Sequence, residues 1–280
     1  MAEANVQSIL DRYGIKEVAD VTFYKIDPLT GKPANPVLYL DSLKVSTVEQ
    51  TAESVYAQGG KGNAKLIGWD FGKEISLSLE DALFSPKSMA VMFGDGTVDN
   101  SKDPNATSIK KTITFKATAT DNTALPKNWI GPDGKERAIP NEAKVYDAVG
   151  TEVKLTSDYS GTVTLTEGET YFVVFDVKVK GQVITVGPNT FPGTYYITGD
   201  TYARSEITGD DEAFQIIIPK GKVTSENTIT MEAEGDPSVF NMTVEVLRAT
   251  LDGKNVMMKL VKYAMDDSEA AALETDGLGA

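Results

Sequence analysis

The sequence contains no cysteine and no histidine. The first absence excludes structural disulfides, thiolate zinc sites and cysteine nucleophiles. The second excludes Ser-His and Cys-His triads, HExxH zinc sites and imidazole proton shuttles. Long hydrophobic runs are also missing; no stretch approaches the roughly 18 to 20 apolar residues of a membrane helix. Positive charge is short as well, with 27 Lys and Arg against 41 Asp and Glu, a net charge of −14 and a pI near 4.5. Sequence-independent binding to nucleic acid needs a basic footprint, and none is visible. The first residues, MAEANVQSILDRYGIKEVAD, have neither a basic n-region nor an apolar h-region. No signal peptide is therefore expected, and synthesis in the cytoplasm of the producing cell is.

What remains is a chain of 280 residues, 41% hydrophobic and 24% charged. That suffices for one large or two ordinary domains. The stretch that organises it runs from Gly59 to Gly94. A glycine-rich lead enters Leu66, Ile67 and Trp69, and Asp70-Phe71-Gly72 reads as a turn. Glu74 to Glu80 then alternates apolar and polar, as a strand with one buried face does. From Asp81 the period changes. Ser85-Pro86 is a helix-start pair and Gly94 a helix stop, so a short helix is predicted before Phe93.

The rest of the chain reads as β. Val6, Ile9, Leu10 and Tyr13 have helical spacing, so 1–20 is an N-terminal helix or arm. Val21–Ile26, Val37–Leu40 and Ser42–Val48 are strands, and Glu49–Lys65 is a long exposed loop or hairpin. After a polar loop over Asp95–Ser108 comes a strand at Ile109–Ala119. Pro126, Gly131-Pro132-Asp133-Gly134 and Pro140 then break the order. Short strands follow at Ala143–Tyr146, Glu152–Leu155, Gly161–Thr166, Thr170–Val179 and Gln182–Val186, the spacing of a small β module. A second break at Gly187–Gly193 precedes strands at Thr194–Thr198, Ala213–Pro219, Thr228–Glu234, Val239–Leu247 and Val256–Tyr263, with an Asp252-Gly253 hairpin turn. The simplest organisation is a discontinuous all-β main domain, 21–134 plus 190–265, with an inserted β domain at 135–189; a single large sheet system is the alternative. The acidic tail, 266–280, is flexible by composition.

Chemical motifs are scarce. Gly59-Gly60-Lys61-Gly62 lacks the Walker spacing, and the carboxylates of Asp95–Ser108 lack the EF-hand pattern. Carboxylate clusters occur at Asp210-Asp211-Glu212, Glu232 with Glu234, and Asp266-Asp267. Solvent-facing strand positions account for them better than catalysis does. Trp69 and Trp129 suit core or interface packing better than sugar stacking. No catalytic, cofactor-binding or metal-ligating residue is assigned, and no cofactor.

Two blocks, about 36–119 and 194–263, carry a resemblance. Their phrases are GWDFGKEISLSLEDALFSPKSMAVMFG, FQIIIPKGKVTSENTITMEAEGDPSVFNMTVEVL and KNVMMKLVKY. In phrase and strand order the chain resembles the major tail proteins, or tail tube proteins, of tailed bacteriophages. The resemblance implies a twisted β-sandwich or half-barrel with a flanking helix, here Asp81–Phe93. It implies hexameric rings whose inner strands complete a barrel, stacked into a tube that conducts DNA without binding it specifically. Glu49–Lys65 would touch the adjoining ring. Partners would be further copies and other tail proteins, such as a sheath, baseplate or terminator, and no membrane. The location would be the virion tail, assembled in the host cytoplasm. A different tail or baseplate component, a β-sandwich adhesin and a carboxylate enzyme are the alternatives.

Overall fold

The structure, a computed structural model, describes residues 12–94, 99–101, 107–207, 209–225, 229, 239–251 and 253–263. They fall into two compact units. One comprises the described parts of Met1–Val98 and Ile184–Ala280, the other those of Asp99–Val183.

In chain order, the first unit opens with β1 (Tyr13–Ile15), β2 (Asp20–Ile26), β3 (Pro33–Leu40), β4 (Leu43–Gly59), β5 (Ala64–Asp81) and α1 (Pro86–Phe93). The second unit holds β6 (Asp99–Ser101), β7 (Thr107–Lys116), β8 (Asn128–Ile130), β9 (Glu136–Ala138), β10 (Lys144–Tyr146), β11 (Glu152–Val153), β12 (Thr170–Val179) and β13 (Gly181–Val183). The chain then returns to the first unit with β14 (Thr194–Ser205), β15 (Asp211–Val223), β16 (Phe240–Val246), β17 (Ala249–Leu251), β18 (Lys254–Val256) and β19 (Lys259–Tyr263). The protein is all-β with one short α-helix among the described residues.

The first unit is built on a nine-stranded antiparallel sheet in the order β3-β2-β14-β15-β16-β5-β4, with β1 added to β14 and β19 to β15. Period-two alternation decides its inner face. Val21 and Phe23, Ile75, Leu77 and Leu79, and Phe240, Met242, Val244 and Val246 are all buried, each on alternate positions of one strand. Each such side chain contributes about 1.5–3 kcal/mol by leaving water. The sheet curls enough to bring β4 beside the approach to β2. The Ala19 amide, just before β2, donates to Ser46 Oγ of β4 at 3.2 Å, although the two strands stand far apart in the strand order.

The helix forms where the sequence signals it. Ser85 is extended (φ −119°, ψ 150°). Its Oγ accepts from the Ser88 amide at 2.9 Å, and Ser88 Oγ returns the favour to the Ser85 amide at 3.0 Å, a two-way cap. Gly94 ends the helix with φ 88° and donates to the Ala90 carbonyl, a conformation that suits glycine. Val91 and Met92 have no exposed surface and join the sheet's core. Asp81 is buried at the end of β5. It accepts from Ser42 Oγ at 2.5 Å and from the Leu83 amide at 3.1 Å, tying the start of β4 to the approach to the helix.

The second unit has its own core. A sheet in the order β11-β10-β12-β7 packs one face against Trp129, Ile139, Tyr159, Val163 and Leu165. Trp129 meets Phe175 edge to face at 5.8 Å. Tyr159 donates to the Pro126 carbonyl at 2.9 Å, and burial raises its pKa.

Four expectations need correcting. Of the helix or arm expected over 1–20, Tyr13–Ile15 is a strand paired with β14 rather than a helical turn, and 1–11 lies outside the described residues. Asp70-Phe71-Gly72 is no turn, because β5 runs unbroken from Ala64 to Asp81. The strand at 194 continues through Gly199 to Ser205, because β2, β1 and β15 hydrogen-bond to it along that length. Gly161–Thr166 alternates and buries Val163 and Leu165, yet joins no ladder. Isolated bonds hold its backbone, including Thr162 N–H to Thr156 Oγ at 3.0 Å and Leu165 N–H to the Thr120 carbonyl. One boundary also differs from the expected 21–134. The strand at β7 pairs over ten residues with β12, so it belongs with the unit at Asp99–Val183; periodicity names a strand but not its partner. The expected strand at 228–234 and the acidic tail lie outside the described residues, apart from Ile229, which bridges to Phe240.

Candidate assembly site

The most unusual feature of the first unit is the outer part of the β4–β5 hairpin. The two strands pair from Leu43–Asp81 to Gly59–Ala64. Beyond the root, β5 loses its other neighbour, since β16 pairs with it only from Ser76 to Asp81. The remainder is a two-stranded ribbon. From Thr51 to Gly59, at about 3.4 Å per residue, it reaches about 30 Å. Gly60 (φ 77°), Gly62 (φ 88°) and Asn63 (φ 51°) turn its tip, and the Asn63 amide closes the turn on the Gly60 carbonyl. This is the span Glu49–Lys65 that the sequence marks as an exposed loop or hairpin.

A single residue of slack decides how the ribbon faces the world. Thr51 lies opposite Glu74, but Glu53 lies opposite Phe71. One residue of β4 therefore spans two of β5, Gly72 and Lys73, which is a β-bulge with Gly72 at φ 60°. Before the bulge, Ile75, Leu77 and Leu79 point into the core. After it, the same sequence parity points to the opposite side of the sheet. Glu53 with Phe71, Val55 with Trp69 and Ala57 with Ile67 share that side. Val55, Ile67, Trp69 and Phe71 are each 52–56% exposed.

The other face of the ribbon satisfies itself. Ser54 Oγ donates to Asp70 Oδ1 at 2.6 Å. The Tyr56 ring lies across Gly68 so closely that a Cβ there would stand 2.9 Å from Tyr56 Cε1. Lys65 Nζ sits 3.8 Å from the centre of the same ring. Asn63 Nδ2 reaches Gln58 Oε1 at 3.1 Å. An isolated two-stranded ribbon is marginal in water, and this one has one finished polar face and one bare apolar face. At its root, Glu49, Lys73, Glu74, Glu245 and Arg248 line a cleft of about 810 Å³.

The open strand edges are not equivalent. Within the sheet β3 and β4 each have one partner. Pro33 and Pro36 remove two donors from β3, whereas β4 carries no proline. In the second unit, β7 is an edge guarded by lysines, with Lys111 Nζ 5.9 Å from the buried Trp129 ring.

The carboxylates singled out in the sequence resolve differently. Asp211 takes a bidentate contact from Arg204, 2.6 Å on each arm, which lowers its pKa. Glu212 meets Lys262 at 2.8 Å. These pairs latch β14 to β15 and β15 to β19. Glu232, Glu234, Asp266 and Asp267 lie outside the described residues. Trp129 is core, while Trp69 stands on the apolar ribbon face. Val55, Ile67 and Phe71 are surface residues that the residue pattern had not marked as such. Their signal was an apolar row at 67, 69 and 71 inside a segment otherwise too polar and glycine-rich to be core.

The fold and the ribbon define an all-β protein whose sheet extends into a two-stranded hairpin with an exposed apolar face. The chain belongs to the YomU/Tube protein family, whose model matches residues 13–260. No curated protein matches it. The family match bears out the resemblance to phage tail tube proteins.

Proposed function

We propose that this protein is the subunit of a phage tail tube. Copies join side by side into rings, hexameric in our reading, and the rings stack around a channel that conducts DNA during ejection. The observation that carries this reading is the ribbon, about 30 Å of paired strand with one apolar face and, among the described residues, no further strand beside it. Such a surface is a hazard on a monomer. In a head-to-tail assembly it is covered, in a ring that closes or along an axis that stays open. The role is structural rather than enzymatic. The net charge of −14 suits a lumen along which phosphate slides without being held. Completion of the barrel belongs to the oligomer, and the unit at Asp99–Val183 is an inserted module of the tube protein. Other tail proteins are the remaining partners, and the virion tail, assembled in the host cytoplasm, is the location.

Electron microscopy of the purified protein over a concentration series, with light scattering alongside, tests the reading. Rings or tubes of uniform diameter are expected. Protein that stays monomeric and also fails to lengthen tail initiation complexes overturns it. Copy number in the virion separates a tube subunit, present many times, from a baseplate or completion protein present a few times.

A further inference from the structure

We infer that the open face of the β10-β12-β7 sheet in the second unit is a binding site for an anionic glycan, a sugar polymer whose carboxylate or phosphate groups are separated by hydroxyl-bearing rings. The site goes beyond the tube reading and does not depend on it.

The face follows from the register. One side of the sheet, through Ile113, Phe115, Val145, Val173 and Phe175, joins the second unit's core. The opposite parity points away from that core. There Phe172 lies between Thr114 and Tyr146, and Val174 between Thr112 and Lys144. Farther along, Lys110 faces Asp176 and Ser108 faces Lys178; at the other end Lys116 faces Thr170. Tyr146, Phe172 and Val174 are half-buried, whereas these lysines and hydroxyl residues are exposed. The result is a narrow apolar strip edged by cations and hydroxyls. A cleft of about 630 Å³, lined by Tyr146, Val174, Lys110, Lys144 and Lys178 among others, lies within the size range of ligand sites.

Charge decides what the face can hold. The whole chain carries −14, but Asp99–Val183 has 11 Lys and Arg against 12 Asp and Glu. The second unit is therefore close to neutral, and four of its lysines share this face. Asp176 answers Lys110 at 2.9 Å and Glu152 answers Lys144 at 3.3 Å. Lys116 and Lys178 have no ion pair among the described residues, which leaves the face positive. Guarding an open edge accounts for Lys110 and Lys116 on β7. It does not account for Lys144 and Lys178, which stand on the two inner strands. A glycan is the occupant that fits this pattern. Lysine is depleted at protein–protein interfaces, and here it rims the apolar strip. Nucleic acid presents an unbroken row of phosphates and needs a matching basic row, which Asp176, Glu152 and the nearby Glu142 interrupt. A polymer with separated charges meets a lysine at each anionic group and threonine hydroxyls between, with Tyr146 or Phe172 beneath the apolar side of a ring. From Ser108 to Lys116 the face runs about 27 Å, long enough for several rings.

The test presents full-length protein to immobilised polygalacturonate and phosphomannan, with neutral dextran and oligothymidylate as comparisons, and reads binding by biolayer interferometry. At least one of the two anionic glycans should bind at least tenfold better than dextran or oligothymidylate, and its binding should weaken as salt rises. Lys144→Gln with Lys178→Gln should lower that binding at least tenfold. Lys127→Gln with Lys135→Gln removes the same charge from the β8–β9 segment, which packs on the core side of the sheet, and should lower it less than twofold. Both double variants should keep the wild-type far-UV spectrum and the wild-type assembly. The glycan site is overturned if neither anionic glycan binds, if the two double variants lose binding equally, or if oligothymidylate binds best. Lys144→Gln with Lys178→Gln that keeps glycan binding but loses assembly makes the face a contact between copies, and overturns the glycan site too. A wild-type protein that binds the glycan but never assembles overturns the tube reading and leaves the glycan site standing.

Discussion

Replacing Gly94 with alanine places a methyl group where the chain has left no room. The residue ends α1 with φ 88°, in the region that costs an L-residue about 1–2 kcal/mol. A Cβ there would stand 2.6 Å from Pro192 N and closer still to the Phe191 carbonyl. Those atoms are backbone and cannot rotate away, so the helix end or the 191–192 segment must move. Forced packing of this kind costs typically 1–3 kcal/mol. The expected total is about 2–5 kcal/mol. The control is Gly31→Ala, which shares the positive φ (68°) but has only the Thr250 carbonyl oxygen at 4.0 Å. It should lose the dihedral cost alone, about 1–2 kcal/mol. Urea unfolding followed by far-UV circular dichroism measures both. Equal losses for the two variants would refute the steric argument and show that the helix end yields freely.

Three further expectations come from single sites. Asp81→Ala removes a buried carboxylate that receives Ser42 Oγ and the Leu83 amide; it should destabilise by about 2–4 kcal/mol in the same urea assay, through lost charged hydrogen bonds and an unsatisfied amide. Gly221→Ala puts a Cβ 2.7 Å from Val244 Cγ1 and 2.8 Å from Ile197 Cδ1; overpacking the core there should cost about 1–3 kcal/mol, and a neutral result would mean those side chains have slack. The Arg137 guanidinium, 2.7 Å from Asp133, holds the Asp133 carboxyl down at about 2. Its folded value lies below the ordinary carboxylate value, so its contribution is present above about pH 4 and is lost as pH falls through about 2. Carboxyl titration by NMR should place its midpoint there, and Arg137→Gln should return it towards the ordinary value.

What the sequence determined by itself was local. Alternation at Glu74–Glu80 and at Val239–Leu247 identified strands and their buried faces, because side chains alternate across a strand whatever its neighbours do. Ser85-Pro86 and Gly94 marked the helix, because caps are made within one turn. The lack of cysteine and histidine restricted the chemistry before any fold was known. Tertiary structure decided what depends on partners. Phe71 and Ile75 have the same parity in the sequence, and nothing in that row announces that they lie on opposite faces. Only the register against β4, with Gly72 and Lys73 facing one residue, turns the apolar row from core to surface. Likewise β7 reads as a strand anywhere, but its ten-residue pairing with β12 assigns it to the second unit. Gly161–Thr166 alternates as a strand does, yet finds no ladder because side-chain and isolated backbone bonds have taken its donors. The division has one physical cause: periodicity is written along the chain, whereas pairing, and therefore the side of the sheet to which a residue points, is a relation between segments far apart in it.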